Sequence, residues 1–152
     1  MQFAFDKDKA LATWEYLRPL VDSGEDALRV MLLADLRAIK TMSRPIYGEQ
    51  YWIRGNRVEP IWLSALLHAE PGSVPVSPEE CLSEVGLWCL RKAAKEYRKH
   101  PKAYGRVCKL LLPANDFAFG EVPDDSKGWP MGYEFLLRAV SNAQKTYEYW
   151  AS

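Results

Sequence analysis

The chain has 152 residues, of which 48% are hydrophobic, enough to bury about two thirds of the unfolded surface around one core. Twenty basic and twenty acidic residues give a formal net charge of zero, which removes the broad positive field of a protein that lives on nucleic acid. Residues 1–152 therefore read as a single domain, and a DNA contact would have to use a local patch.

The N-terminus, Met1-Gln2-Phe3-Ala4-Phe5-Asp6, has neither a basic leader nor a long apolar stretch, and no later run approaches a membrane span. The expected location is the cytoplasm, without membrane contact. The three cysteines, Cys81, Cys89 and Cys108, are expected to be reduced, and the first two fall within one predicted helix.

Asp6 reads as a helix cap, with Phe5 placed to staple onto Ala10 or Leu11. Ala10, Leu11, Trp14, Leu17 and Leu20 or Val21 follow at helical spacing, and Pro19 ends or kinks that helix. Asp22-Ser23-Gly24 offers a new cap. Leu28, Met31, Leu32, Asp35, Ile39 and Met42 then carry a second helix to about residue 42.

Residues 44–59 hold no helical period. Aromatic and β-branched side chains flank Gly55-Asn56, which is the signature of a tight hairpin. A lone hairpin is marginal in water, so it must lean on the helices, through Trp52 and Val58 or through Tyr51 and Ile53. Pro60 suits the first turn of a third helix ending near residue 69.

Ser77-Pro78-Glu79-Glu80 reads as a capped helix start, continued by Leu82, Val85, Trp88 or Cys89, Leu90, Ala93 and Tyr97, with Pro101 ending the run. Residues 103–112 read as a shorter helix or a strand, and 113–132 as a long irregular loop. A last helix places Leu136, Leu137, Val140, Ala143, Tyr147 and Trp150 on one face. The fold class is mainly α: a single-domain bundle of about six helices, with a small β-hairpin inserted between helices 2 and 3.

The stretch Arg44-Pro45-Ile46-Tyr47-Gly48-Glu49-Gln50-Tyr51 carries the most specific signal. Together with Phe5-Asp6, Lys9-Ala10 and Arg29-Val30-Met31-Leu32-Leu33-Ala34-Asp35, it resembles the Panacea antitoxin domain, the SocA-type family of bacterial and phage toxin–antitoxin pairs. Leu32 replaces a Tyr of the family pattern, and Ser43 stands where the family has Gly. Arg57-Val58-Glu59 replaces its Gly-Pro-Val, with Pro60 kept. The first half of the chain carries the match. The resemblance implies a helical domain with a small hairpin, no catalysis and no cofactor, and neutralisation of a cognate toxin by direct binding. Some family members also deliver the toxin to a protease.

Asp35, on an apolar helix face, reads as a buried ion pair or as a cap for the 44–48 turn, because an unpaired buried carboxylate is costly. Asp35, Arg44, Pro45, Gly48, Tyr51 and Pro60 are expected to be structural determinants. Tyr51, Trp52, Arg54 and Arg57, extended by Trp62, are the expected partner-binding residues, since aromatic and guanidinium groups dominate interface energetics. Trp14, Trp62 and Trp88 are expected to serve the core, and Trp52 either core or partner, with Trp129 and Trp150 partly exposed.

Arg91, Lys92, Lys95, Arg98, Lys99 and Lys102 form a basic stripe, interrupted by Glu96. It reads as a solvated helix face, and the alternative function is a DNA-binding regulator using this stripe, or another interaction protein of a phage or mobile element. His68 and His100 lack metal-ligand spacing, and Asp116, Glu121, Asp124 and Asp125 lack that of a calcium loop. No nucleophile, acid–base pair or phosphate loop is visible, so no catalytic or metal-binding residue is assigned.

Overall fold

The computed structural model describes residues 4–55, 57–69, 76–114 and 129–131. In chain order these form α1 (Lys7–Leu17), a 3-10 turn (Arg18–Leu20), α2 (Gly24–Met42), β1 (Tyr51–Arg54), β2 (Arg57–Pro60), α3 (Ile61–His68), α4 (Pro78–Cys81), α5 (Glu84–Lys99), α6 (Ala103–Ala114) and β3 (Trp129–Met131). The mainly helical class, with a hairpin between the second and third helices, agrees with the sequence. No helix among the described residues is long and apolar enough to cross a membrane.

The helix starts follow their caps. Asp6 accepts the Lys9 N–H at 3.1 Å to open α1, and Ser23 accepts the Asp26 N–H at 3.2 Å to open α2. Pro19 falls in the 3-10 turn, where its missing N–H interrupts no ladder. Residues 30–39 of α2 are all buried, including Asp35 and Arg37, so the middle of this helix is interior on every side, packed against α5, α6, α3 and β2. A polar chain fastens α5 to it: Arg29 donates to the Tyr97 hydroxyl at 3.0 Å, and Tyr97 donates to Asp26 at 2.9 Å.

The helix expected to run on from Ser77 is instead broken. Leu82 is extended and buried, and Ser83 caps α5 by accepting the Gly86 N–H at 3.0 Å, whereas Ser77 makes no side-chain cap. Two Ser-Pro/Glu starts compete within seven residues, and the second opens the long helix. Cys81 and Cys89 thus lie on different helices, and all three cysteines are free thiols.

The sheet order is β2-β1-β3, antiparallel throughout. Tyr51, Ile53 and Val58 turn one face into the core and Pro60 joins them, which selects the second of the two contact faces considered for β1 and adds Val58 from β2. β3 corrects the expectation of an irregular loop over 113–132: Trp129 pairs with Ile53 and Met131 with Tyr51. Pro130 is tolerated because β3 is an edge strand. α6 extends to Ala114, which resolves the helix-or-strand alternative for 103–112. The remainder of that loop, with its four acidic residues, and the last expected helix with Trp150 lie outside the described residues.

Tyr104 of α6 closes the outer edge of β2. Its hydroxyl accepts the Val58 N–H at 3.2 Å and donates to the Val58 carbonyl at 2.8 Å, satisfying both groups that an added strand would use.

Candidate functional site

The 44–51 stretch is an irregular segment whose polar groups are committed inward. α2 ends at Ser43, whose φ of 59° places it in the left-handed region and whose N–H returns to Ile39 at 2.9 Å. The reversal lays Ile46 against the preceding helix, where its N–H reaches Asp35 Oδ1 at 2.9 Å. Tyr51, 1% exposed, donates its hydroxyl to Asp35 Oδ2. Asp35 is thus the cap of the turn and not the ion-pair partner of Arg44, which is exposed. Burial pushes its carboxyl up to about 7, against the lowering effect of the Ile46 and Tyr51 hydrogen bonds, and the nearby Glu49 charge adds to the rise.

Gly48 is fixed by two constraints. Its φ is +85°, and a Cβ there would lie 2.5 Å from the Ala4 carbonyl oxygen. Residues 4–6 cross directly over it, held by the Asp6 N–H bonded to the Tyr47 carbonyl at 2.9 Å.

Glu49 caps a helix from outside it. Pro60 opens α3 with no side-chain acceptor, leaving the first amides of that helix to find partners elsewhere. Gln50 O takes the Ile61 N–H at 2.8 Å, Glu49 Oε1 takes Trp62 N–H at 3.0 Å, and Glu49 Oε2 takes Leu63 N–H at 3.0 Å. The Tyr47 hydroxyl and the Gln50 N–H complete the carboxylate's shell. Burial raises the Glu49 carboxyl above the usual range despite these four donors. The sequence signal for this role was present: an apolar helix start with no Ser, Thr, Asp or Asn ahead of it needs an acceptor brought from a distance.

With the polar groups spent inside, the outer rim is aromatic. Phe5, Tyr47 and Trp62 form a cluster with centroid separations of 5.4 to 6.0 Å in edge-on or tilted pairs. Phe5 therefore packs on Tyr47 and Trp62. It remains 43% exposed, and Trp62 is half-buried. A cleft of about 280 Å³ opens between them, bordered by Gly48, Gln50 and Ile61. On the other side of Phe5 lies a second cleft of about 430 Å³, between the first turn of α1 and Arg44.

The expected partner-binding residues separate. Tyr51 is interior, which corrects its assignment to a contact surface: its strand position faces the core, where its hydroxyl is consumed by Asp35. Trp52, on the opposite face of β1, is half-buried, and Arg57 is exposed and pairs with Glu59 at 3.5 Å. Arg54 closes β1, and its side chain lies outside the described residues. Trp62 joins the Phe5 cluster, a grouping that spacing alone did not reveal because it brings together residues 5, 47 and 62. Trp14 is in the core as expected, whereas Trp88 is 39% exposed, contrary to expectation. The basic stripe is partly engaged: Lys92 pairs with Glu96 at 3.5 Å and Arg98 donates to Leu20 O at 3.1 Å. Among the described residues no three His, Cys, Asp or Glu side chains are grouped to hold a metal ion.

No family model, curated protein or solved structure matches this chain.

Proposed function

We propose that this protein is an antitoxin-like binding module that neutralises a cognate toxin by direct contact, without catalysis. The observation that carries the reading is the exposed Phe5 and half-buried Trp62, which pack on each other and on the buried Tyr47 ring of the 44–51 stretch. That stretch supplies the resemblance to antitoxins, and its Glu49, together with Asp35 of α2, is consumed by backbone amides and tyrosine hydroxyls. They hold a rigid turn and offer no free acid or base to a substrate. Aromatic rings fixed on such a turn, beside a cleft, are the residue types that anchor protein partners at small entropic cost.

The test is co-expression with the product of the adjoining gene. The reading predicts rescue of growth from that product's toxicity and a complex that survives purification. Replacing Phe5 and Trp62 together by Ala weakens the complex by about a hundredfold or more, on the scale of paired aromatic anchors. A neighbour that is harmless alone, or one that never co-purifies, contradicts it.

The alternative, a DNA-binding regulator, uses the exposed side chains of Arg91, Lys95, Lys99 and Lys102. It predicts affinity for the upstream promoter that falls steeply with salt. The internal bonds of Lys92 and Arg98 weigh against it.

A further inference from the structure

Val85 and Trp88 lie three residues apart on α5, and each is 39% exposed. That spacing puts them on one face of the helix. The Trp88 ring is backed from inside by the guanidinium of Arg37, 5.6 Å from its centroid, and Arg37 is itself only 8% exposed. The indole is therefore a supported surface feature with one side in water. Thr41, Glu84, Leu87 and Arg91 complete an open cleft of about 630 Å³ around the pair. Apolar side chains held this way mark a contact surface.

Charge identifies what covers it. Glu84, exposed at the start of α5, lies seven residues before Arg91, also exposed, a separation of about 10 Å along the axis. Val85 and Trp88 sit between them. Farther along α5, Lys95 and Lys99 are exposed on the basic side. Arg91 reaches the Tyr16 hydroxyl only at 3.4 Å, which leaves most of its fork available. The strip thus runs acid, apolar, base. Rotation by 180° about an axis through its middle lays acid on base and base on acid, with the apolar parts together.

We propose that this face binds a second copy of the chain, α5 against α5 in antiparallel order, with Glu84 facing the second copy's Arg91 and Val85 and Trp88 filling the centre. An interface of this kind is isologous, so each contact occurs twice. A nucleic acid would meet the basic half but be repelled by the acidic half, and would leave Trp88 unused. The inference is independent of toxin binding: a chain that dimerises and captures no toxin leaves it standing.

The experiment is sedimentation equilibrium on the wild type, Glu84→Arg, Arg91→Glu and the double variant, at concentrations up to about 100 μM and low salt, with circular dichroism to establish folding. Both substituted positions, Glu84 and Arg91, are exposed charges, so the fold is expected to persist. The wild type is expected to be dimeric. Each single reversal creates two like-charge contacts per dimer and weakens association about tenfold or more, whereas the double variant recovers it. A wild type that stays monomeric overturns the proposal. So does a dimer indifferent to the single reversals, a double variant that fails to recover, or a monomer that instead shifts duplex DNA with steep salt dependence.

Discussion

Tyr51 donates its hydroxyl to Asp35 across sixteen residues of chain, while the other oxygen of the same carboxylate accepts the Ile46 N–H at 2.9 Å. One fully buried side chain on α2 thereby fixes both the turn that leaves the helix and the first residue of β1. Burial and the adjoining carboxylate push the Tyr51 hydroxyl well up, so it remains a donor throughout the ordinary pH range.

The Asp35 carboxyl lies near 7 in the folded protein and near 3.8 when exposed. The folded state therefore binds more protons between these values, and its stability is greatest at low pH and falls as pH rises through them. Urea unfolding is expected to show about 2 to 3 kcal/mol less stability at pH 8 than at pH 5 from this group, with Glu49 acting in the same direction. Asp35→Asn flattens the dependence, because the amide still accepts from Ile46 and Tyr51 retains Met31 O, 3.4 Å away. A slope unchanged in Asp35→Asn assigns the effect elsewhere.

Gly48→Ala forces a side chain into a φ of +85° and against the Ala4 carbonyl. The expected outcome is a loss of about 2 to 4 kcal/mol and release of residues 4–6 from the turn. Hydrogen exchange at the Asp6 amide, bonded to Tyr47 O, reads that release directly.

Ser43 ends α2 in the left-handed region, where a side chain is strained and glycine is favoured. Ser43→Gly is expected to stabilise the protein by about 0.5 to 1 kcal/mol, seen as a rise of a few degrees in Tm, after allowing for the extra freedom of glycine in the unfolded chain.

Tyr104→Phe leaves the Val58 N–H and carbonyl without their shared partner. Stability is expected to fall by about 1 to 3 kcal/mol, and the uncovered strand edge to increase aggregation, measured by light scattering under conditions where the wild type stays clear.

Much of the fold was legible because it rests on local chemistry. Asp6 and Ser23 cap the helices that follow them, and Gly55 with φ of 61° turns the hairpin at the expected position. The helix after Ser77 was misread because Ser83 is an equally good cap, and nothing local decides between them. β3 was missed because a three-residue strand containing proline has no periodicity and exists only through its pairing with β1. At the site, the turn and its Asp35 cap could be anticipated from a carboxylate in an apolar face. The Phe5–Tyr47–Trp62 cluster could not, since it forms only when residues 4–6 cross Gly48 and Glu49 docks α3 beside it.

The most direct measurement is calorimetric titration of the adjoining gene's product into the wild type and into the Trp62→Ala and Arg57→Ala variants. The expected result is a one-site complex that Trp62→Ala weakens by about tenfold or more while Arg57→Ala, already satisfied by Glu59, changes little. No heat of binding with the wild type, or a complex insensitive to Trp62 and abolished at Arg57, contradicts a partner surface built on the aromatic rim of the 44–51 turn.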